Sequence, residues 1–151
     1  MTDDLSEFLD TDEGWSEAGE AFPATFQRDV FVFEYANNRY AVAAGQVVGV
    51  IPWRRPVPLP RSDPRVQGVI QDRGQIVVVM VHPTGQPRAE EGVDAERIVI
   101  CESGRGHVGL PATLTVTVGP VRFANEPVAM ATVDSDAGAL TYLDPGRLVE
   151  D

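Results

Sequence analysis

A cysteine and a histidine that are close in sequence are the residues of this chain with the strongest potential for chemistry. Cys101 ends an apolar run, and His107 follows it across a glycine-containing turn. A histidine beside a cysteine can serve as the base that activates a nucleophilic thiol. A free cysteine at the end of an apolar strand, however, commonly packs as a small buried hydrophobic residue. We therefore interpret Cys101 as a core residue rather than a nucleophile.

Metal ligation and acid/base chemistry find equally little support. His82, Cys101 and His107 are dispersed, and their spacing does not match a compact set of zinc ligands. Glu90 and Glu91 are adjacent in a polar stretch, so their side chains diverge, and a solvated pair of charges is the simpler interpretation. The sequence thus predicts neither a metal site nor a pair of catalytic carboxylates.

Residues 104–107 are the nearest approach of this sequence to a phosphate-binding loop. They lack the lysine, the adjacent hydroxyl residue and the helix start that together cradle a phosphate. We therefore predict no cofactor and no catalytic residue. One alternative from another class remains, namely a small-molecule-binding β-barrel or a minor hydrolase that uses His82 or His107.

Trp53 is the aromatic residue best placed to contact another protein. It follows Pro52 and precedes Arg54 and Arg55, and tryptophan and arginine are enriched among the residues that dominate protein interfaces. The alternative is that the proline, tryptophan and arginine side chains stack into a packed corner of the chain. Trp53 is therefore a candidate docking residue, with the packed corner left open.

The overall composition describes one acidic domain. The chain has 151 residues, 43% of them hydrophobic, a formal net charge of −11 and a single cysteine, which fits one domain in a reducing compartment. No apolar run approaches the roughly 20 residues that span a bilayer, and the first residues are acidic where a secretory signal is basic. The negative charge disfavours nucleic acid and anionic lipid as partners. We expect a cytoplasmic protein that binds no nucleic acid and does not insert into membranes.

The acidic charge is concentrated at the start of the chain. Eight acidic residues and no basic residue precede Arg28, so acidity belongs mostly to this segment. We predict that residues 1–28 form a flexible tail and that residues 29–151 form the folded domain. Four apolar residues of the tail follow a roughly helical spacing: Leu5, Phe8, Leu9 and Trp15. The tail either folds against a partner on docking or only solubilises the chain.

The rest of the sequence is a succession of short β-strand patterns. The predicted strands are residues 30–35, 39–42, 46–51, 66–70, 75–81, 97–101, 107–110, 112–118 and 139–143. Asn37 supports a tight turn after the first strand, and Arg73 with Gly74 supports another. Threonine alternates with apolar residues in 112–118, which predicts a half-buried strand. Asp144, which precedes a proline, predicts a short closing helix.

These elements together indicate a mostly β architecture with one or two short helices. Five prolines between residues 52 and 64 predict a rigid extended connection. About ten short strands with so little helix favour small barrels.

The order of the elements and several short motifs resemble the CheW family. The usual text of that family contains an early V-x-x-V segment, a proline-rich crossing, a G-V-I-x-x-R-G turn, an R-x-V-I-V hairpin with V-G-L, and a closing L-D-x-x-R-L. The corresponding segments here are residues 47–50, 58–67, 68–74, 97–102 with 108–110, and 143–148. Each motif is weak alone, and their shared order over roughly residues 29–150 makes the resemblance specific.

The resemblance implies a fold of two small five-stranded SH3-like β-barrels that share a hydrophobic core. It also implies a non-enzymatic adaptor. One surface would bind the regulatory domain of a CheA-type histidine kinase, another would bind the cytoplasmic tip of methyl-accepting chemoreceptors, and other CheW-like proteins are further partners. Val47, Gly68 and Arg73 match the family positions tied to these contacts. A degenerate member that binds one partner alone, or another coupling protein, is the alternative.

Arg73 carries this docking hypothesis most directly. A guanidinium group on a turn can reach the carboxylate or carbonyl oxygens of a partner; the alternative is an arginine that only closes its own turn. Gln71 and Asp72 stand where the family usually has Asn-Leu. An acid is therefore placed beside the arginine and can pair with it.

Overall fold

The computed structural model describes residues 24–60, 63–81 and 94–148. Its strands are β1 (Gln27–Tyr35), β2 (Asn38–Ala43), β3 (Val47–Pro52), β4 (Val66–Asp72), β5 (Gln75–Met80), β6 (Arg97–Glu102), β7 (His107–Ala112), β8 (Leu114–Arg122), β9 (Thr132–Ser135) and β10 (Gly138–Leu143). Helix α1 spans Pro145–Leu148, and single 3-10 turns cover Ala24–Phe26 and Ala44–Gln46. The predictions for the tail before Ala24, and those for His82, Glu90 and Glu91, lie outside the described residues.

The ten strands form two sheets of five. The first sheet has the order β8-β1-β2-β10-β9, and the second has the order β3-β6-β7-β5-β4. Most neighbours are antiparallel, but β10 pairs with β2, and β5 with β7, in parallel. The second sheet is one continuous stretch of chain, and the first is assembled from the stretches on either side of it. The predicted mostly β fold with two five-stranded units is confirmed.

Backbone hydrogen bonds also connect the outer strands within each sheet unit. After β3, the chain crosses over β4, where Val57 and Val69 exchange hydrogen bonds of 2.9 and 3.0 Å. In the first unit, the chain beyond β8 forms a bridge from Phe123 to Ser135 of β9. Pro56 and Pro58, on either side of Val57, therefore lie in a segment that is held against the sheet.

Three apolar clusters follow from the alternation of side chains along the strands. The first cluster, called the shared core, draws on both sheets: Phe31, Phe33, Tyr35, Tyr40, Val42, Met80, Val99, Cys101, Val108, Leu110, Ala112, Leu143 and Leu148. A second cluster belongs to the first sheet alone: Val30, Val32, Ala41, Val121, Phe123, Val133 and Leu140. A third belongs to the second sheet: Ile51, Ile70, Val77, Val79, Ile98 and Ile100. Each sheet thus buries one face internally and the other against its neighbour.

The predicted tight turns are confirmed by their backbone angles. Ala36 and Asn37, between β1 and β2, have φ angles of 53° and 68°, and Arg73 and Gly74, between β4 and β5, have φ angles of 51° and 79°. Two successive residues with positive φ form the turn whose twist matches a two-residue β-hairpin. Arg73 adopts this left-handed conformation although it has a side chain, so its place at the tip of the turn is fixed by the hairpin.

The strand predicted at residues 112–118 is present as β8, which begins at Leu114, but its predicted half-burial is wrong. All five residues from Leu114 to Val118 are exposed, with Leu114 at 53% and Val118 at 62% of their full surface. The reason is position: β8 lies at the end of the first sheet, and among the described strands it pairs with β1 alone. An alternating pattern indicates a strand, but it does not indicate whether another part of the protein covers that strand.

Two elements near the end of the chain complete the first sheet. Strand β9 was not predicted, because its four residues are mostly polar and alternate exposed with buried positions. The predicted closing helix is confirmed: the Asp144 carboxylate accepts a hydrogen bond of 3.0 Å from the backbone N–H of Gly146. Leu148 at its end is buried in the shared core.

Candidate protein-docking site

The β4–β5 turn presents Arg73 to solvent. Its side chain keeps 80% of its full exposed surface, and its Nε lies 3.8 Å from the Asp72 carboxylate. That distance makes an ion pair but is too long for a hydrogen bond. The same carboxylate accepts a shorter bond, 3.3 Å, from Nη2 of Arg54 on the crossing. Asp72 therefore pairs mainly with Arg54, and the guanidinium group of Arg73 points into solvent on a conformationally fixed turn.

A shallow groove begins beside this turn. It is lined by Val48, Gly49, Asp72, Arg73, Gln75, Ile100 and His107, which come from β3, β4, the β4–β5 turn, β5, β6 and β7. Val48 keeps 49% of its surface, and Ile76, next to the turn, is also exposed. Exposed apolar side chains beside a charged group are typical of surfaces that bind other proteins. We call this feature the arginine groove.

Val47 supports the groove from behind. It is half-buried and packs against the shared core, where it faces its cross-strand partner Cys101. Its neighbour Val48 lies on the groove side. A docking role for Val47 stays a prediction, and its position makes that role an indirect one, through the placement of β3.

Gly68 is buried under the proline-rich crossing. A Cβ atom at this position would lie 2.6 Å from the carbonyl oxygen of Val57 and 2.8 Å from the Cβ of Pro56. Only glycine leaves room for the crossing at this distance. Gly68 does not line the arginine groove, so its predicted docking role would be indirect.

Trp53 is half-buried and packs against the third apolar cluster. Its backbone N–H donates a 3.0 Å hydrogen bond to Glu96, just before β6. These contacts favour the packed corner over an exposed docking side chain. A role for Trp53 in docking stays a prediction.

Cys101 and His107 do not form a nucleophile and base pair. Cys101 pairs across the hairpin with Val108, and His107 pairs with Glu102, so the two side chains lie on opposite faces of the sheet. The His107 Nε2 is 3.4 Å from a Glu102 carboxylate oxygen. Cys101 is fully buried in the shared core, as predicted, and burial raises the pKa of its thiol to about 12.

We predict that Cys101 is inert in the folded protein. At pH 8, alkylation by iodoacetamide should be negligible in the time that the urea-unfolded chain reacts completely, because the thiolate is the reactive species and burial suppresses it. A Cys101→Ala/Arg105→Cys variant, with its thiol on an exposed turn, is the control and should label readily. Equal labelling of native and unfolded wild type, measured by mass spectrometry, would contradict the buried position.

Within the described ranges, no group of three or more His, Cys, Asp or Glu residues is arranged to hold a metal ion. None of the helices there has the length and apolar character that a membrane crossing requires.

Several residues of the groove were not predicted from the sequence. The pairing of Arg54 with Asp72 joins residues 18 positions apart, and only the folded crossing brings them together. Val48 is missed because its run reads as a buried strand, although exposed and less exposed residues alternate along β3.

The fold and the arginine groove define a small β protein whose prominent surface feature is suited to binding other proteins. The model of the CheW-like domain matches residues 29–149, and the chain therefore belongs to the CheW-like family of scaffold and adaptor proteins in chemotaxis signalling. The predicted resemblance is confirmed.

A solved structure shows the same fold. The crystal structure of the scaffolding protein TtCheW from Thermoanaerobacter tengcongensis aligns with a TM-score of 0.66 at 20% sequence identity, over 82% of this chain and 88% of that chain. At this identity the likeness supports the fold alone. Among curated proteins, the comparison by sequence found no match.

Proposed function

We propose that this protein is a non-catalytic chemosensory adaptor that couples methyl-accepting chemoreceptors to a CheA-type histidine kinase. In this proposal, it is a cytoplasmic protein recruited to receptor arrays, where it contacts the regulatory domain of the kinase, the cytoplasmic tip of a receptor and other CheW-like proteins. It needs no cofactor. Several weak contacts of this kind gain strength when many copies assemble.

The observation that carries the proposal is the exposed Arg73 at the edge of the arginine groove. The turn fixes the backbone position of Arg73, and its exposed guanidinium group can donate two parallel N–H bonds to a partner carboxylate. Val48 and Ile76 beside it offer apolar surface. Family membership supplies the class of partner.

A second candidate is an adaptor that retains one of these partners or binds a different coupling protein. The observation in its favour is Asp72, an acid in the wall of the groove. A buried or half-buried charge discriminates between partners more strongly than an apolar residue does. Separate binding assays with the kinase domain and the receptor fragment distinguish the two candidates.

The small-molecule alternative would require an apolar cavity with converging polar groups. In the described residues, the inner faces of both sheets are occupied by the apolar side chains of the second and third clusters. The observations therefore favour binding at the surface.

The charge-reversing substitution Arg73→Glu tests the proposal. We expect the affinity for at least one of the two partners, measured by isothermal titration calorimetry, to fall at least about tenfold, because a partner acid would then face a like charge. Arg39→Glu makes the same charge change on the first sheet, away from the groove, and should alter binding much less. Failure of the wild type to bind either the kinase domain or the receptor fragment at tens of micromolar would remove the main support.

A further inference from the structure

The carboxylate of Asp72 lies between the guanidinium groups of Arg54 and Arg73, and it is closer to that of Arg54. It is hydrogen-bonded to Arg54 at 3.3 Å and lies 3.8 Å from Arg73. The Asp72 side chain keeps only 22% of its exposed surface, so its charge is less screened than a fully solvated one. Whether Asp72 is paired with Arg54 or with Arg73 therefore influences how much positive charge Arg73 presents to another protein.

Arg54 determines how strongly Asp72 pairs with Arg73. Asp72 immediately precedes Arg73 and is its nearest anion in the described structure, so a carboxylate freed from Arg54 would be attracted to Arg73. That contact would compete with any acid brought by a partner. While Arg54 holds Asp72, the guanidinium group of Arg73 stays available at the mouth of the groove.

The groove itself indicates the chemistry of the segment that fits it. Of the residues that line it, Arg73 is the exposed cation, with 80% of its side-chain surface accessible. Asp72 is only 22% exposed and is paired with Arg54, and Val48, which is 49% exposed, provides apolar surface beside them. On the far wall, His107 faces Glu102 at 3.4 Å. A segment with a carboxylate next to an apolar side chain matches this order of charge and surface.

We propose that the arginine groove receives a protein segment bearing an acidic residue beside an apolar one, and that Arg54 is a positioning residue that keeps Arg73 free by holding Asp72. The inference rests on the proposed docking role of Arg73 and adds to it the chemistry of the partner and the function of the Arg54–Asp72 pair. Arg54 acts through Asp72 rather than by touching the partner.

A double-mutant cycle tests this inference with the full-length chain and the regulatory domain of the CheA-type kinase from the same organism. Arg54→Gln should weaken binding about two- to fivefold, the size of effect that exposed ion pairs produce. Asp72→Asn should leave binding unchanged or strengthen it. The double variant should bind as Asp72→Asn does, because Arg73 then has no competing carboxylate.

The outcomes separate the possible roles. If Arg54→Gln weakens binding equally with and without Asp72→Asn, Arg54 contacts the partner directly and the inference is wrong. If Arg54→Gln has no effect while Arg73→Gln weakens binding, the inference is also wrong, but the docking role of Arg73 stands. If the wild type binds a receptor fragment but not the kinase domain, the same cycle is carried out with that fragment, and if it binds neither, the proposed function itself fails.

Two controls accompany the cycle. Arg39→Gln breaks a comparable exposed pair, with Glu34 at 3.0 Å on the first sheet, and should not change the affinity. Raising the salt concentration should weaken the wild type more than Arg73→Gln, since a charged contact is screened by salt. An equal salt response in the two proteins would contradict an acidic partner segment.

Discussion

Phe33→Ala is expected to lower the free energy of unfolding by about 3–5 kcal/mol, the range found when a large aromatic side chain is removed from a packed core. Phe33 is fully buried in the shared core. Its ring centroid lies 5.7 Å from that of Tyr40 and 6.3 Å from that of Phe31. The cavity would open where the two sheets meet. The substitution would therefore weaken the packing between the sheets as well as the packing of β1.

Urea denaturation followed by circular dichroism measures this loss. Val118→Ala is a suitable control: Val118 pairs with Phe31 across β1 and β8, but it is exposed, and its truncation should cost little. A cost for Phe33→Ala near that of Val118→Ala would mean that the two sheets do not rely on this core. In that case the shared core would not be the structural basis of the fold.

Gly68→Ala is expected to destabilise the protein by about 1–3 kcal/mol, the typical cost of inserting atoms into a filled space. The new Cβ would lie 2.6 Å from the Val57 carbonyl oxygen, which is backbone and cannot rotate away. Val57 is also tied to Val69 by two hydrogen bonds. Relief of the clash would therefore require the crossing to leave β4.

The matched control is Gly45→Ala, because a Cβ at Gly45 meets no atom within 4 Å. Thermal unfolding of both variants should show a lower midpoint for Gly68→Ala alone. Partner binding, measured well below that midpoint, separates two roles for Gly68. Normal stability combined with lost binding would show that Gly68 contacts the partner directly and would contradict the packing role derived from the structure.

Local features of the fold were predictable because their causes are local. Asn37 and Gly74 tolerate positive φ, and the strands on either side of each turn carry β-branched and aromatic residues, so both hairpins follow from the sequence. Arg73 was predicted to be exposed for the same reason. A residue at the tip of a two-residue turn has no neighbour to cover it.

Features that depend on distant pairing were not predictable from patterns. The parallel pairings of β10 with β2 and of β5 with β7 join strands that are separated by other elements. The exposure of Leu114 and Val118 depends on β8 ending its sheet, and a period of two is the same in an edge strand as in a central one. Only the arrangement of the whole sheet decides what such a strand faces.

The residues of the candidate site also depend on contacts that the sequence pattern does not show. Gly68 and Trp53 were predicted as docking residues. In the structure, however, the crossing covers Gly68, and Trp53 packs against the third apolar cluster. Arg54 and Asp72 meet for the same reason. For Gly68 and Asp72 the decisive neighbour comes from the proline-rich crossing, and for Trp53, which lies on that crossing, it comes from the third apolar cluster. No local pattern contains these tertiary contacts.

The second sheet is one uninterrupted segment from β3 to β7, and every residue that lines the arginine groove belongs to it. Under the proposed docking role of this groove, partner choice is encoded in a single cassette inserted between β2 and β8. Such a cassette can be exchanged between relatives by two recombination points, provided that its shared-core residues still fit those of the host. Diversification of recognition in this architecture can thus proceed by grafting, while the flanking strands are kept.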